Sequence, residues 1–118
     1  MKELFTIGEM AELFQINIRT LRYYDDIGLL CPETVNPETG YRYYSTKQFE
    51  RLNTIKYLRT LNMPLEKMKQ FFQNRDARVM EQILEDQLLA TRDQLAQLQN
   101  MERKLIRRLE QLRYALNA

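Results

Sequence analysis

Asn17-Ile-Arg-Thr-Leu-Arg-Tyr-Tyr24 packs two arginines, a threonine hydroxyl and two tyrosines into eight residues without one carboxylate. If the stretch is helical, its apolar positions Ile18 and Leu21 lie three apart and face a core. Arg19, Arg22, Tyr23 and much of Tyr24 are then left to project outward. Guanidinium forks and phenol hydroxyls along one helix edge suit the phosphates and base edges of DNA. The same pattern also describes a solvated amphipathic helix, and these eight residues alone leave the two readings level. Their neighbours decide between them.

Upstream, Thr6-Ile-Gly-Glu9 has the form of a capping box, with Thr6 as N-cap and Glu9 reaching back to its amide. The helix it opens carries Ile7, Met10, Ala11 and Leu13-Phe14 as an apolar stripe at helical spacing. Phe14-Gln-Ile16 makes a short break, and Asn17, a good N-cap type, opens the second helix. Two short helices joined by about three residues, the second exposing Arg and Tyr, form a helix-turn-helix pattern. Gly28 is the stop signal of the second helix.

Downstream, Pro32 and Asn36-Pro-Glu-Thr-Gly40 bracket short segments, and Tyr41-Arg-Tyr-Tyr44 is aromatic and strand-prone. This predicts a β-hairpin with its turn at 36–40. Ser45-Thr-Lys-Gln48 is a second capping box, opening a helix with Phe49, Leu52, Ile55 and Leu58 inward. Asn62-Met-Pro64 interrupts it, and Pro64 suits the first turn of a fourth helix that contains Leu65, Met68, Phe71 and Phe72.

From Asp76 to Ala118 there is neither Gly nor Pro. Leu84, Leu88, Leu95, Leu98, Leu105, Leu109, Leu112 and Leu116, with Thr91 and Glu102 as the polar exceptions, alternate in steps of four and three. A stripe sustained over more than four heptads predicts a coiled coil rather than a helix folded onto its own domain. Some forty residues make a helix of about 60 Å. Left single, it would expose a large apolar surface, and nothing else in the chain offers a matching stripe. A second copy is the simplest partner. The expected organisation is therefore a compact, mostly helical unit over 1–74 with a hairpin appendage, then a dimerisation helix over 75–118.

Composition excludes several function classes. The sequence holds no histidine and one cysteine, Cys31. A Cys/His zinc site within one chain, a Ser-His-Asp triad and histidine acid–base catalysis all need residues that are missing. No glycine-rich phosphate loop is present and the carboxylates scatter over expected exposed faces, so neither an enzyme nor a cofactor is expected. No apolar run approaches the roughly 18 residues of a membrane span, and Met1-Lys-Glu-Leu-Phe5 lacks the apolar region of a secretory signal. A lone thiol makes no internal disulfide, and a reducing cytoplasm is the simplest compartment. The net charge is +2, and residues 1–60 hold eight basic and eight acidic side chains. Any preference for nucleic acid must therefore come from where the charges sit, not from their sum.

Five strings in order and spacing resemble the MerR family of bacterial transcriptional regulators: Thr-Ile-Gly-Glu-Met-Ala (6–11), Arg-Thr-Leu-Arg-Tyr-Tyr-Asp (19–25), Ile-Gly-Leu-Leu-Cys-Pro (27–32), Gly-Tyr-Arg-Tyr-Tyr-Ser (40–45) and Arg-Leu-Asn-Thr-Ile (51–55). The resemblance implies a mostly α fold, a winged helix-turn-helix domain with a small β-hairpin wing, followed by a long coiled-coil helix that pairs antiparallel into a twofold homodimer. It implies binding to a pseudo-palindromic operator in double-stranded promoter DNA. Effector-biased bending and untwisting of the spacer would then present both promoter elements to RNA polymerase.

Carried over residue by residue, the resemblance places Arg19, Thr20 and Arg22 in the major groove. Tyr23 and Tyr24 would lie at the backbone and groove edge, and Arg42 and Tyr43 in the wing beside flanking phosphates. The helix after Pro64 would present its amides to a phosphate with Lys67 nearby. Tyr41 and Tyr44 are expected to pack in the core, Cys31 to be a small buried residue, and Asp25-Asp26 to be structural, as a cap or a brace to the wing. The family's metal sensors carry cysteines around the long helix, whereas Cys31 precedes the wing, so thiolate metal or redox sensing is not expected. The wing sequence is most similar to the drug-responsive branch. In that branch a small-molecule effector acts through a C-terminal domain beyond the coiled coil, which implies a truncated chain or a short relative here. A coiled-coil interaction module without specific DNA binding is the competing reading.

Overall fold

The computed structural model describes residues 3–118. Backbone contacts divide the chain into two compact units, Met1–Arg75 and Asp76–Ala118.

In the first unit, Thr6 caps α1 (Ile7–Phe14). Its hydroxyl accepts from Glu9 N at 3.1 Å, while Thr6 N donates to the Glu9 carboxylate at 2.9 Å. Met10, Ala11 and Phe14 are buried. Leu13 lies off that stripe by one residue, about 100° around the helix, and is 56% exposed, which corrects its expected place in the core. Gln15 takes a left-handed conformation at φ 54° and turns the chain, with Ile16 N donating to Ala11 O at 2.9 Å. The Lys56 ammonium donates to the Phe14 carbonyl and so occupies one of the free acceptors at the end of α1.

Asn17 then opens α2 (Ile18–Asp26), its side chain accepting from Arg19 N at 2.8 Å. Leu21 and Tyr24 are its buried residues, while Ile18, in the first helical position, is 37% exposed rather than inward-facing. Gly28 ends the turn at φ 76°, and Leu29 N and Leu30 N both donate to Tyr24 O. A Cβ at Gly28 would meet nothing within 4 Å. The cost of Gly28→Ala is therefore backbone strain alone, and a loss of about 1 kcal/mol in denaturant titration is expected.

The hairpin is present but belongs to a larger sheet. β1 (Leu4–Thr6), β2 (Thr34–Val35) and β3 (Arg42–Ser45) form an antiparallel sheet in the order β1-β3-β2. Leu4 pairs Ser45 and Val35 pairs Arg42. The turn is organised by Asn36, whose side chain accepts from Glu38 N at 2.9 Å while its carbonyl accepts from Gly40 N at 2.7 Å. Gly40 stands at φ 76°. The second capping box forms, with Ser45 N donating to Gln48 Oε1 at 3.0 Å, but it opens a single 3-10 turn over Thr46–Gln48 before α3 (Phe49–Thr60) begins.

Leu52, Ile55 and Leu58 are buried and Phe49 is half-buried, packing on Phe5 and Phe14 at ring separations of 5.3 and 5.1 Å. Pro64 stands just before α4 (Leu65–Gln73), which buries Met68. Arg51 braces this unit internally: its Nε donates to Leu29 O at 2.9 Å and its guanidinium lies 4.3 Å over the Phe72 ring.

The second unit is α5 (Ala77–Leu116), forty residues capped by Asp76, whose side chain accepts from Arg78 N. The eight leucines of the seam are between 43% and 75% exposed on the single chain. Among the described residues no helix is long and apolar enough to cross a membrane.

Candidate nucleic-acid interface

The turn at Gln15 and the cap at Asn17 fix which face of α2 meets the core, and so which face meets solvent. Burial of Leu21 and Tyr24 leaves Arg19, Arg22, Tyr23 and Asp26 exposed at positions i, i+3, i+4 and i+7 of one stripe. Among the described residues no carboxylate forms an ion pair with Arg19 or Arg22. Both guanidiniums retain their donors for a ligand. Tyr23 is 51% exposed, with its ring beside them on the helix surface.

Tyr24 departs from expectation. It is 2% exposed, because the residue three places after Leu21 faces the same core. Burial raises its phenol pKa, and the neighbouring Arg59 guanidinium pulls partly the other way. Tyr24 is thus a packing residue that also contributes to the wall of a crevice.

That crevice, of about 670 Å³, is lined by Arg19, Thr20, Tyr23 and Tyr24 from α2, by Arg59 and the Asn62-Met-Pro64 turn, and by Leu65 and Met68 of α4. It unites the start of α2 with the N-terminus of α4, whose first amides have no intrahelical acceptor. Those amides, Arg19 and Arg59 all carry positive potential to one concavity. Sequence reading missed Arg59 and Asn62. The visible signal was a basic residue in the last turn of α3 followed by a helix break; Asn62 makes the break at φ 57°, a conformation asparagine tolerates. Lys67, expected to assist here, is exposed on the first turn of α4 but does not line the crevice.

A second concavity, about 250 Å³, joins α2 to the wing and is lined by Thr6, Ile7, Arg22, Gly40, Tyr41 and Arg42. Arg42 Nε donates to Asp25 Oδ2 at 2.9 Å, which ties β3 to the end of α2 and leaves the Arg42 side chain about one third exposed (34%). Asp25 is therefore a brace to the wing. Tyr41 is 64% exposed and not packed in the core: it precedes the first paired residue of β3, so no partner strand covers it. Tyr44, two positions beyond Arg42 and on the same face, is fully buried as expected. Its hydroxyl has no hydrogen-bond partner among the described residues, and burial together with the Asp25 carboxylate pushes its pKa up to about 12.

Tyr43 points to the other face of the sheet. It lines a separate hollow with Leu4, Thr6, Glu9 and Val35 rather than joining the α2 stripe. Cys31 is exposed, which corrects its expected burial: Leu29 and Leu30 take the core positions and leave the next residue outside. Its Sγ lies 3.9 Å from the Asp25 carbonyl, and local burial and that hydrogen bond raise its pKa, which disfavours the reactive thiolate.

Comparison with known proteins places this geometry among relatives. A profile described as MerR HTH family regulatory protein matches residues 5–75. The chain is 48% identical over 63 residues to the transcriptional regulator BrlR of Pseudomonas aeruginosa, covering 53% of this chain and 23% of that protein. Among solved structures it is similar to EcmrR in an EcmrR–DNA complex within EcmrR-RPo, at a TM-score of 0.70 and 28% identity, covering 86% of this chain and 38% of that one. It is also similar to MtaN, the N-terminus of the Bacillus subtilis multidrug transporter activator, at a TM-score of 0.64 and 28% identity, covering 86% of this chain and 97% of that one. The chain spans about a quarter of the length of the curated relatives it matches first.

Proposed function

The chain belongs to the MerR HTH family of regulatory proteins, and from that premise we propose that it works as a homodimer on a pseudo-palindromic operator in double-stranded promoter DNA. The observation that carries the reading is the crevice where α2, Arg59 and the start of α4 converge. Arg19, Thr20 and Arg22 read base edges, Tyr23 and the Arg59–α4 wall grip a phosphate, and Arg42 holds the flanking backbone from the wing. Tyr41 joins that wing contact, Tyr43 supports the wing from the other face of the sheet, and Lys67 assists from the first turn of α4.

The seam leucines of α5 supply the dimer, since a single chain leaves all eight exposed. Residues 76–95 carry five acidic and two basic side chains, and residues 96–118 two acidic and five basic. Antiparallel pairing sets each acidic half against the partner's basic half; parallel pairing sets like against like. The dimer bends and untwists the promoter spacer so that both promoter elements face RNA polymerase, a deformation that costs on the order of 1–6 kcal/mol for a smooth bend. A small-molecule effector biases the two geometries through a C-terminal domain of the kind the longer relatives have room for. The cytoplasm, where Cys31 stays reduced, is the compartment that suits this work.

Arg59→Ala tests the crevice. Operator affinity should fall by a similar factor on every sequence bound, and the slope of log K against log salt should drop by about one per protomer. An unchanged salt slope would remove Arg59 from the interface.

A further inference from the structure

The seam of α5 interrupts its leucines at Thr91 and Glu102, both exposed on the single chain. Resting on the dimer proposed above, we propose that the two copies pair in one register, with Thr91 of each chain facing Glu102 of its partner. Leu95 then faces the partner's Leu98, Leu88 the partner's Leu105, and Leu84 the partner's Leu109. Each layer matches one position of the four-step to one of the three-step, as antiparallel seams require. The register also overlaps α5 along its whole length, because Ala77 and Leu116, its first and last residues, come opposite each other. Glu81, exposed on the single chain, meets the partner's Leu112 only in the layer beside that end.

Sliding by one heptad in either direction undoes both polar matches. Thr91 then meets Leu109 or Leu95, and Glu102 meets Leu98 or Leu84. By twofold symmetry each mismatch occurs twice, so the unmatched polar groups spread over more seam layers. A carboxylate set against leucine loses water without gaining a donor. In the proposed register the Thr91 hydroxyl, which donates to Gln87 O at 2.8 Å on the single chain, turns to the partner's Glu102 and forms a charge-assisted bond. Two polar layers placed symmetrically about the axis thus select one alignment from a seam of otherwise interchangeable leucines.

Disulfide trapping of the full chain in a Cys31→Ser background tests this. Leu88→Cys is mixed in turn with Leu105→Cys, Leu112→Cys and Leu98→Cys, oxidised with copper phenanthroline and run on a non-reducing gel. Cross-linking with Leu105→Cys above all is the expected result. Cross-linking chiefly with Leu112→Cys or Leu98→Cys overturns the register and leaves the antiparallel dimer intact. Self-cross-linking of Leu88→Cys, whose two copies should lie roughly 25 Å apart along the axis, overturns the antiparallel dimer itself, as does a monomer mass with no cross-link in any mixture. In a Thr91→Leu, Glu102→Leu background the shifted mixtures should cross-link as well. If that background keeps the Leu88–Leu105 pair alone, the two polar layers do not set the register.

Discussion

Leu98→Lys is expected to convert the protein to monomers and to abolish tight operator binding. Leu98 sits mid-seam and is 61% exposed on the single chain, so the substitution leaves the folded unit of residues 1–75 untouched. In the dimer it sets two ammonium groups near the twofold axis of an apolar seam. Dehydrating each costs roughly several kcal/mol, with no carboxylate at that layer to offset it. A monomer engages one half-site and keeps little beyond non-specific affinity, which is on the order of a thousandfold or more weaker than specific binding. Sedimentation equilibrium and mobility shift on one preparation measure both effects. A stable dimer of this variant would show that the seam runs elsewhere.

Arg22→Ala carries the second large effect, and it separates recognition from assembly. Arg22 is exposed on the α2 stripe and also borders the hollow beneath the wing. A bidentate arginine–base contact is worth about 1–3 kcal/mol, and each protomer contributes one, so operator affinity should fall by about 2–6 kcal/mol. As an exposed side chain without an ion pair among the described residues, its loss should move stability by no more than about 0.5 kcal/mol. The dimer mass should be unchanged. Operator binding that survives the substitution unaltered would displace α2 from the groove.

The parts of this molecule legible in its sequence are those set by local chemistry. Thr6, Asn17 and Ser45 announce their caps because the hydrogen bonds close within three residues. Gly28 and Gly40 announce turns because their backbone conformations disfavour a Cβ. What escaped is non-local. β1 is three residues long with no alternation to reveal it, and it exists only because β3 offers an edge. Tyr24 carries the same side chain as Tyr23, yet one place along the helix decides that it is buried. Tyr41 and Cys31 are exposed against expectation for a related reason: a short strand and an irregular segment have no long period from which to infer facing. The crevice needs the start of α2 and the end of α3 brought together with α4, and no spacing in the sequence expresses that.

The stripe of α2 and the crevice beside it should bind one DNA sequence in preference to others. Fluorescence anisotropy tests it most directly, using the DNA upstream of the protein's own gene against a shuffled fragment of equal length, titrated between about 50 and 200 mM salt. The prediction is saturation at two chains per duplex on the native fragment, an affinity at least roughly a thousandfold above the shuffled one, and a steep loss with salt. Equal affinity for both fragments across that range would contradict it.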